Sequence, residues 1–89
     1  MNIQINKESK TTSNNREYNY YDLQINTKRV EIIKSSVSGI NVIVHNASHK
    51  AWNANLGIGK QFKCIDDAIS KYRDKSILSI LNYVKTKEL

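Results

Sequence analysis

A chain of 89 residues forms one domain, and a domain of this size buries only about 60 to 65% of its unfolded surface, so its core is thin. Hydrophobic residues make up 39% of the chain, which excludes disorder throughout, and no apolar run approaches the roughly 18 residues of a membrane-spanning helix. The single cysteine, Cys64, excludes an intramolecular disulfide and cannot by itself supply the ligands of a structural zinc site.

Residues 1–17 are predicted to be a flexible tail. Three apolar residues, Met1, Ile3 and Ile5, precede a polar run that cannot offset the entropy lost on ordering. Because Ile3 and Ile5 alternate with polar residues, a short edge strand is the alternative. The start of the chain lacks the apolar stretch of a signal peptide, and together with the lone cysteine this favours a cytoplasmic location.

Residues 18–64 alternate with the period of two that is typical of β-strands. Asn26 and Thr27 suit a tight turn between the first two strands, and a serine- and glycine-containing segment, residues 35–39, suits the next turn. The last strand is predicted in two pieces, residues 50–52 and 58–62, interrupted by Asn53, Ala54, Asn55 and Gly57. On the outward side, Ile33 and Ile43 imply cover by the tail, a partner subunit, or an apolar patch used in recognition.

From residue 65 the spacing of apolar residues becomes helical. One stripe contains Ile65, Ala68, Ile69 and Tyr72, and a second contains Ile77, Ile80, Leu81 and Val84. At 100° per residue the stripes differ in phase, so one straight helix does not bury both. We therefore predict a bend or break near Asp74, a residue that could cap a second helix.

These patterns predict an α+β domain over residues 18–89, with a three- or four-stranded antiparallel sheet followed by a C-terminal bent helix or two short helices packed on one face. The predicted inner layer consists of Leu23, Ile25, Val30, Ile32, Ile40, Val42, Val44, Phe62, Ile65, Ile69 and Tyr72.

Positive charge collects in the predicted sheet. Residues 18–64 contain six Lys and Arg against two acids, whereas residues 65–89 contain five against four, so the sheet carries most of the net charge of +6. A basic sheet surface with nearby aromatic rings favours a non-enzymatic nucleic-acid-binding protein, with DNA preferred to RNA. The candidate nucleic-acid-binding residues are Lys28, Arg29, Lys34, His45, His49, Lys50, Trp52, Lys60 and Lys63.

The sequence predicts neither catalytic residues, nor a metal site, nor a cofactor. It contains no nucleophile elbow, zinc-protease, P-loop or dinucleotide motif. His45 and His49 have a spacing that lets two imidazoles share a metal on a helix, with Cys64 or Asp66 as a further ligand. Their surroundings read as strand and loop, which favours histidines that contact a phosphate, a base or water.

Residues 45–72 read HNASHKAWNANLGIGKQFKCIDDAISKY. This run resembles the end of three-stranded-sheet DNA-binding domains of the plant ethylene-response-factor and phage integrase arm-site types. The matching features, in order, are Trp52, Leu56 and Gly57, Phe62, the run Asp66, Asp67 and Ala68, and Tyr72. The resemblance implies a sheet in the major groove, with base and phosphate contacts from Lys34, His45, His49, Lys50 and Trp52 and with Lys28 and Arg29 at the hairpin edge.

The alternative is a small protein-binding factor, such as a phage-type inhibitor or an assembly subunit. It would use Ile33, Ile43 and the last helix against a protein partner. The second apolar stripe would also suit the pairing of two helices in a homodimer.

Overall fold

The structure, a computed structural model, describes residues 2–46 and 58–88. In this part of the chain five strands precede two helices: β1 (Gln4–Ser13), β2 (Arg16–Ile25), β3 (Lys28–Ser35), β4 (Gly39–Asn46), β5 (Ile58–Phe62), α1 (Ile65–Lys71) and α2 (Lys75–Glu88). The strands form one antiparallel sheet in the order β1-β2-β3-β4-β5. The predicted α+β class and the sheet-then-helix order are confirmed.

The sheet gains a strand at its N-terminal edge. Residues 4–13, predicted from the sequence to belong to a flexible tail, instead form β1 and pair with β2. The connecting turn is built from Asn14 and Asn15, whose positive φ angles of 53° and 63° match a two-residue hairpin turn. Backbone hydrogen bonds to β2 hold β1 in place, and its side chains are mostly exposed. The strand therefore needs few apolar residues, and its sequence resembles that of a disordered tail.

One face of the sheet forms the core with α2. Its fully buried strand residues are Leu23, Val30, Ile32, Ile40 and Val42, and α1 contributes Ala68. Several members of the predicted inner layer are only partly buried around this centre: Val44, Phe62, Ile65, Ile69 and Tyr72. The predicted core face is therefore correct in its strands, and its centre lies beneath α2 rather than α1.

The helical region breaks where the two apolar stripes change phase. Helix α1 ends at Lys71 and α2 begins at Lys75. Asp74 Oδ1 accepts hydrogen bonds from the backbone N–H groups of Ser76 at 2.8 Å and Ile77 at 3.2 Å. This is the N-cap arrangement predicted for Asp74, since it satisfies amide groups that have no partner within the helix.

The second apolar stripe belongs to the core of a single chain. Ile80, Leu81 and Val84 are 0% exposed and Ile77 is 5% exposed, because α2 lies across β2 and β3. The sequence analysis suggested that this stripe could pair two subunits. Because the side chains are buried within one chain, they are not available for that contact. Neither helix of the described residues is long and apolar enough to span a membrane.

Candidate functional site

The face of the sheet opposite α2, which we call the open face, carries a set of interacting charged and polar side chains. Alternation along the strands places Tyr20 and Asp22 of β2, Arg29 and Glu31 of β3, and His45 of β4 on this face. Asp22 lies opposite Glu31, and Arg29 lies opposite His45. We call these five residues the charged network.

Glu31 is the centre of the charged network. Its Oε1 accepts a hydrogen bond from Tyr20 Oη at 2.5 Å, and its Oε2 lies 2.6 Å from His45 Nε2. The Nη2 atom of Arg29 lies 3.5 Å from Glu31 Oε1. One carboxylate thus joins three strands through their side chains.

Asp22 forms the second half of the charged network. Arg29 donates from Nε to Asp22 Oδ1 at 2.9 Å and from Nη2 to Asp22 Oδ2 at 2.7 Å, which is the bidentate geometry of a strong ion pair. Asn6, at the β1 bulge, donates a further hydrogen bond to Asp22 Oδ1 at 3.3 Å. The positive charge of Arg29 is therefore balanced within the sheet.

The charged network is unusually well enclosed for a sheet surface. His45 is 2% exposed and Asp22 is 8% exposed. Among the described residues, every buried side-chain nitrogen and oxygen atom has a hydrogen-bond partner. Such satisfied, paired groups stabilise a sheet but leave little net charge for a ligand.

The surroundings of these groups shift their pKa values in a consistent way. Burial alone would raise the pKa of Asp22, but hydrogen bonds from Arg29 and Asn6 outweigh it, so the pKa lies below its ordinary value. Burial would likewise raise the pKa of Glu31, and hydrogen bonds from Tyr20 and His45 lower it overall. Burial, followed by the hydrogen bond to Glu31, raises the pKa of Tyr20 to about 12.

These directions predict a loss of stability in acid. Asp22 and Glu31 have ordinary pKa values of 3.8 and 4.5, and both are lower in the folded protein. Their contribution is therefore complete above about pH 4.5 and is lost as the pH falls through the lower folded values. We expect the urea midpoint of the wild type to drop over this range, and the Glu31→Gln variant to show a shallower drop. Parallel curves for the two proteins would contradict this assignment.

The predicted lysines lie elsewhere. On β3, Lys28 and Lys34 point to the same side as the buried Val30. On β5, Lys60 is paired with the buried Val42. All three lysines therefore lie on the helix side of the sheet. Lys28 Nζ lies 3.9 Å from Asp74 Oδ2.

Lys34 and Lys63 line a cavity of about 160 Å³ together with Ile40, Cys64, Ile65 and Val84. This helix-side cavity lies between the β3–β4 turn and the helices. His49, Lys50 and Trp52 lie outside the described residues.

The predicted residues therefore do not share one surface. Arg29 and His45 lie on the open face and contact carboxylates, whereas the described lysines lie on the helix side or beyond the end of β5. Asp22 and Glu31 are the two acids of residues 18–64, and the register places both on the open face, where they balance Arg29.

Exposed cations gather where β5 meets α1. The rings of Phe62 and Tyr72 contact each other edge to face, with centroids 6.0 Å apart, and this contact holds the end of α1 beside β5. Four exposed cations flank these two rings in the chain, and we call them the basic edge: Lys60, Lys63, Lys71 and Arg73. Within the described residues, none of the four forms an ion pair. The nearby Asp66 is paired with Lys85 at 2.6 Å.

The sequence analysis did not identify Lys71 and Arg73 as candidate binding residues, because the charge of the whole helical region was considered together. Residues 65–89 are nearly neutral as a whole. Their acids lie mostly in the first turn of α1 and at the cap of α2, whereas these two cations lie at the end of α1.

Comparisons with known proteins leave the resemblance to DNA-binding domains as a prediction. The chain matches no protein-family model, no curated protein and no solved structure. In residues 2–46 and 58–88, no group of three or more His, Cys, Asp or Glu side chains is placed to hold a metal ion.

Proposed function

We propose that this protein is a non-enzymatic nucleic-acid-binding protein, with DNA as the expected ligand, and that it binds through the basic edge. The observation that carries the proposal is the cluster of exposed cations around the Phe62–Tyr72 contact that have no acidic partner among the described residues. A phosphate backbone supplies the opposite charge in a linear array.

The distribution of ion pairs supports this choice of surface. On the open face Arg29 is held by Asp22, and on the β1–β2 hairpin Lys10 lies 3.6 Å from Glu17. At the end of α2, Lys85 and Lys87 contact Asp66 and Glu8. The four cations of the basic edge form no such pair with the described residues, so their positive charge is available to a ligand although Asp66, Asp67 and Asp74 lie close to them in the sequence.

The proposal makes a quantitative prediction about salt. Each phosphate contact on duplex DNA contributes about −0.9 to the slope of log affinity against log salt, so four contacts give a slope of about −3.6. Fluorescence anisotropy of a labelled random duplex, titrated at several salt concentrations starting near 50 mM, measures this slope. Undetectable binding at the lowest salt concentration would refute the proposal.

A charge-matched pair of variants tests the surface itself. The edge variant carries four substitutions: Lys60→Ala, Lys63→Ala, Lys71→Ala and Arg73→Ala. The control variant has the same net charge and removes four cations elsewhere: Lys7→Ala, Lys10→Ala, Arg16→Ala and Lys87→Ala. We expect the edge variant to lose most of the affinity and of the salt slope, and the control to retain both. Equal losses would indicate a response to net charge alone.

The same proposal includes a cytoplasmic location, as expected from the sequence. A homodimer formed through the apolar stripe of α2 is not part of it, because those side chains are buried against the sheet. The same burial weakens the protein-binding alternative, which relied on the last helix.

A further inference from the structure

A second cavity lies on the open face, at the end of the sheet formed by the β3–β4 turn. It has a volume of about 160 Å³, and its walls include Tyr18, Ile33, Asn41 and Gln61. Tyr18 comes from β2, Ile33 from β3, Asn41 from β4 and Gln61 from β5, and the register places the last three in one row across the sheet. We call it the open-face cavity. Tyr20 of the charged network lies opposite Ile33 but does not line this cavity, and the other four members lie farther along the same face.

The size of the open-face cavity limits what it can hold. An apolar cavity of about 150 Å³ is known to accommodate a benzene ring. A volume of about 160 Å³ therefore matches one six-membered ring. The sugar and phosphate of a nucleotide would have to remain outside the cavity.

The walls of the cavity suit a planar polar ring. Tyr18 and Ile33 supply apolar surface, and a tyrosine ring is a common stacking partner for nucleobases. Asn41 and Gln61 are exposed and supply amide groups that can hydrogen-bond to the edge of a base. Gln61 Nε2 donates to the backbone oxygen of Ser38 at 2.7 Å, which holds the side chain in place and leaves its own Oε1 as an acceptor.

The open-face cavity also lies close to positive charge. Ser35, Gly39 and Ile40 line both this cavity and the helix-side cavity, so the two lie on opposite sides of the same strand ends. The helix-side cavity contains Lys63 of the basic edge in its wall, together with Lys34. Gln61 in the wall of the open-face cavity follows Lys60 on the edge strand β5, so a strand whose base enters this cavity can run its backbone along the edge that carries the cations.

From this geometry we infer that the open-face cavity binds one unpaired pyrimidine base of a single strand whose backbone follows the basic edge. The inference rests on the proposed function and specifies its ligand. Duplex DNA keeps its bases stacked and paired, so it can use the cations but not the cavity. Single-stranded ligands can use both.

The test compares a labelled oligothymidine of about twelve nucleotides with a duplex of equal length at the same salt concentration. A stacked base contributes enough binding energy for a preference of about tenfold or more for the single strand. The variant Asn41→Leu keeps the shape of the cavity wall but removes the amide that would hydrogen-bond to the base, and should abolish this preference while leaving duplex affinity and its salt slope unchanged. The variant Asn82→Leu makes the same exchange at an exposed position of α2 and should keep the preference.

The possible outcomes separate the two proposals. Equal wild-type affinity for oligothymidine and duplex would overturn the inference and leave the proposed function intact. An equally strong preference in Asn41→Leu would also overturn the inference, because the preference would then not depend on the polar wall of the cavity. If neither oligonucleotide binds, the proposed function fails and the inference fails with it.

Discussion

Replacing Glu31 with alanine should lower the free energy of unfolding by about 3 to 5 kcal/mol, which is the range for removing one partner of a buried ion pair. The side chain is 15% exposed and serves Tyr20, His45 and Arg29 at once. Its loss leaves an enclosed hydroxyl and an enclosed imidazole without their carboxylate partner. A domain of this length has a total stability of roughly 4 to 13 kcal/mol, so the variant should be close to the limit of folding. Urea denaturation followed by far-UV circular dichroism measures the change.

The matched control for this prediction is Glu17→Ala. Glu17 is also a strand glutamate paired with a cation, but it and Lys10 have side chains that are 59% and 64% exposed. Exposed pairs contribute about 0 to 1 kcal/mol, so the control should unfold at nearly the wild-type midpoint. Similar losses in the two variants would mean that enclosure of the charged network contributes nothing.

Replacing Leu81 with alanine should cost about 2 to 5 kcal/mol of unfolding free energy, the usual range for a buried leucine. Leu81 is 0% exposed and lies in the part of α2 that covers the sheet. In a thin core, few neighbouring side chains can move to fill the space that the substitution leaves. Denaturant unfolding with an unchanged m-value would identify the loss as one of native-state packing.

Leu78→Ala provides the comparison on the same helix. Leu78 is only partly buried, so the same chemical change removes less surface from contact with protein. We expect a cost well below that of Leu81→Ala, and an equal cost would argue that α2 is rotated relative to the sheet. The pair also tests directly whether the second apolar stripe is core, because a stripe that served only subunit pairing would give both substitutions small effects in the monomer.

The sequence was sufficient for the elements whose signal is local. The alternation around Leu23, Val30 and Val42 identifies β2, β3 and β4 together with their buried side, since adjacent side chains of a strand must point to opposite faces. The phase change between the two helical stripes identifies the break near Asp74. Strand β1 was predicted only as an alternative, a short edge strand at Ile3 and Ile5, because its order comes from backbone pairing with β2, which leaves little trace in side-chain composition.

The candidate site was harder to predict, because it depends on which face each cation occupies. Val30 and Ile32 were predicted to face inward, so Lys28 and Lys34 had to share their side of β3, whereas Arg29 had to lie opposite. The alternation of side chains along β3 therefore already assigns each cation to a face, whereas the total charge of a segment does not. The register that places Asp22 beside Arg29 depends on the β2–β3 turn, which composition does not reveal.

The charged network has a consequence for how the strands find their alignment during folding. A slip of one residue between neighbouring strands turns a strand over, so Arg29 and Glu31 would then lie beneath α2 among aliphatic side chains. Ionic groups placed there without their partners would cost several kcal/mol, which is comparable to the stability of the whole domain. The polar side of the sheet thus adds a second penalty against misaligned hairpins, beside the loss of the burial of Val30 and Ile32.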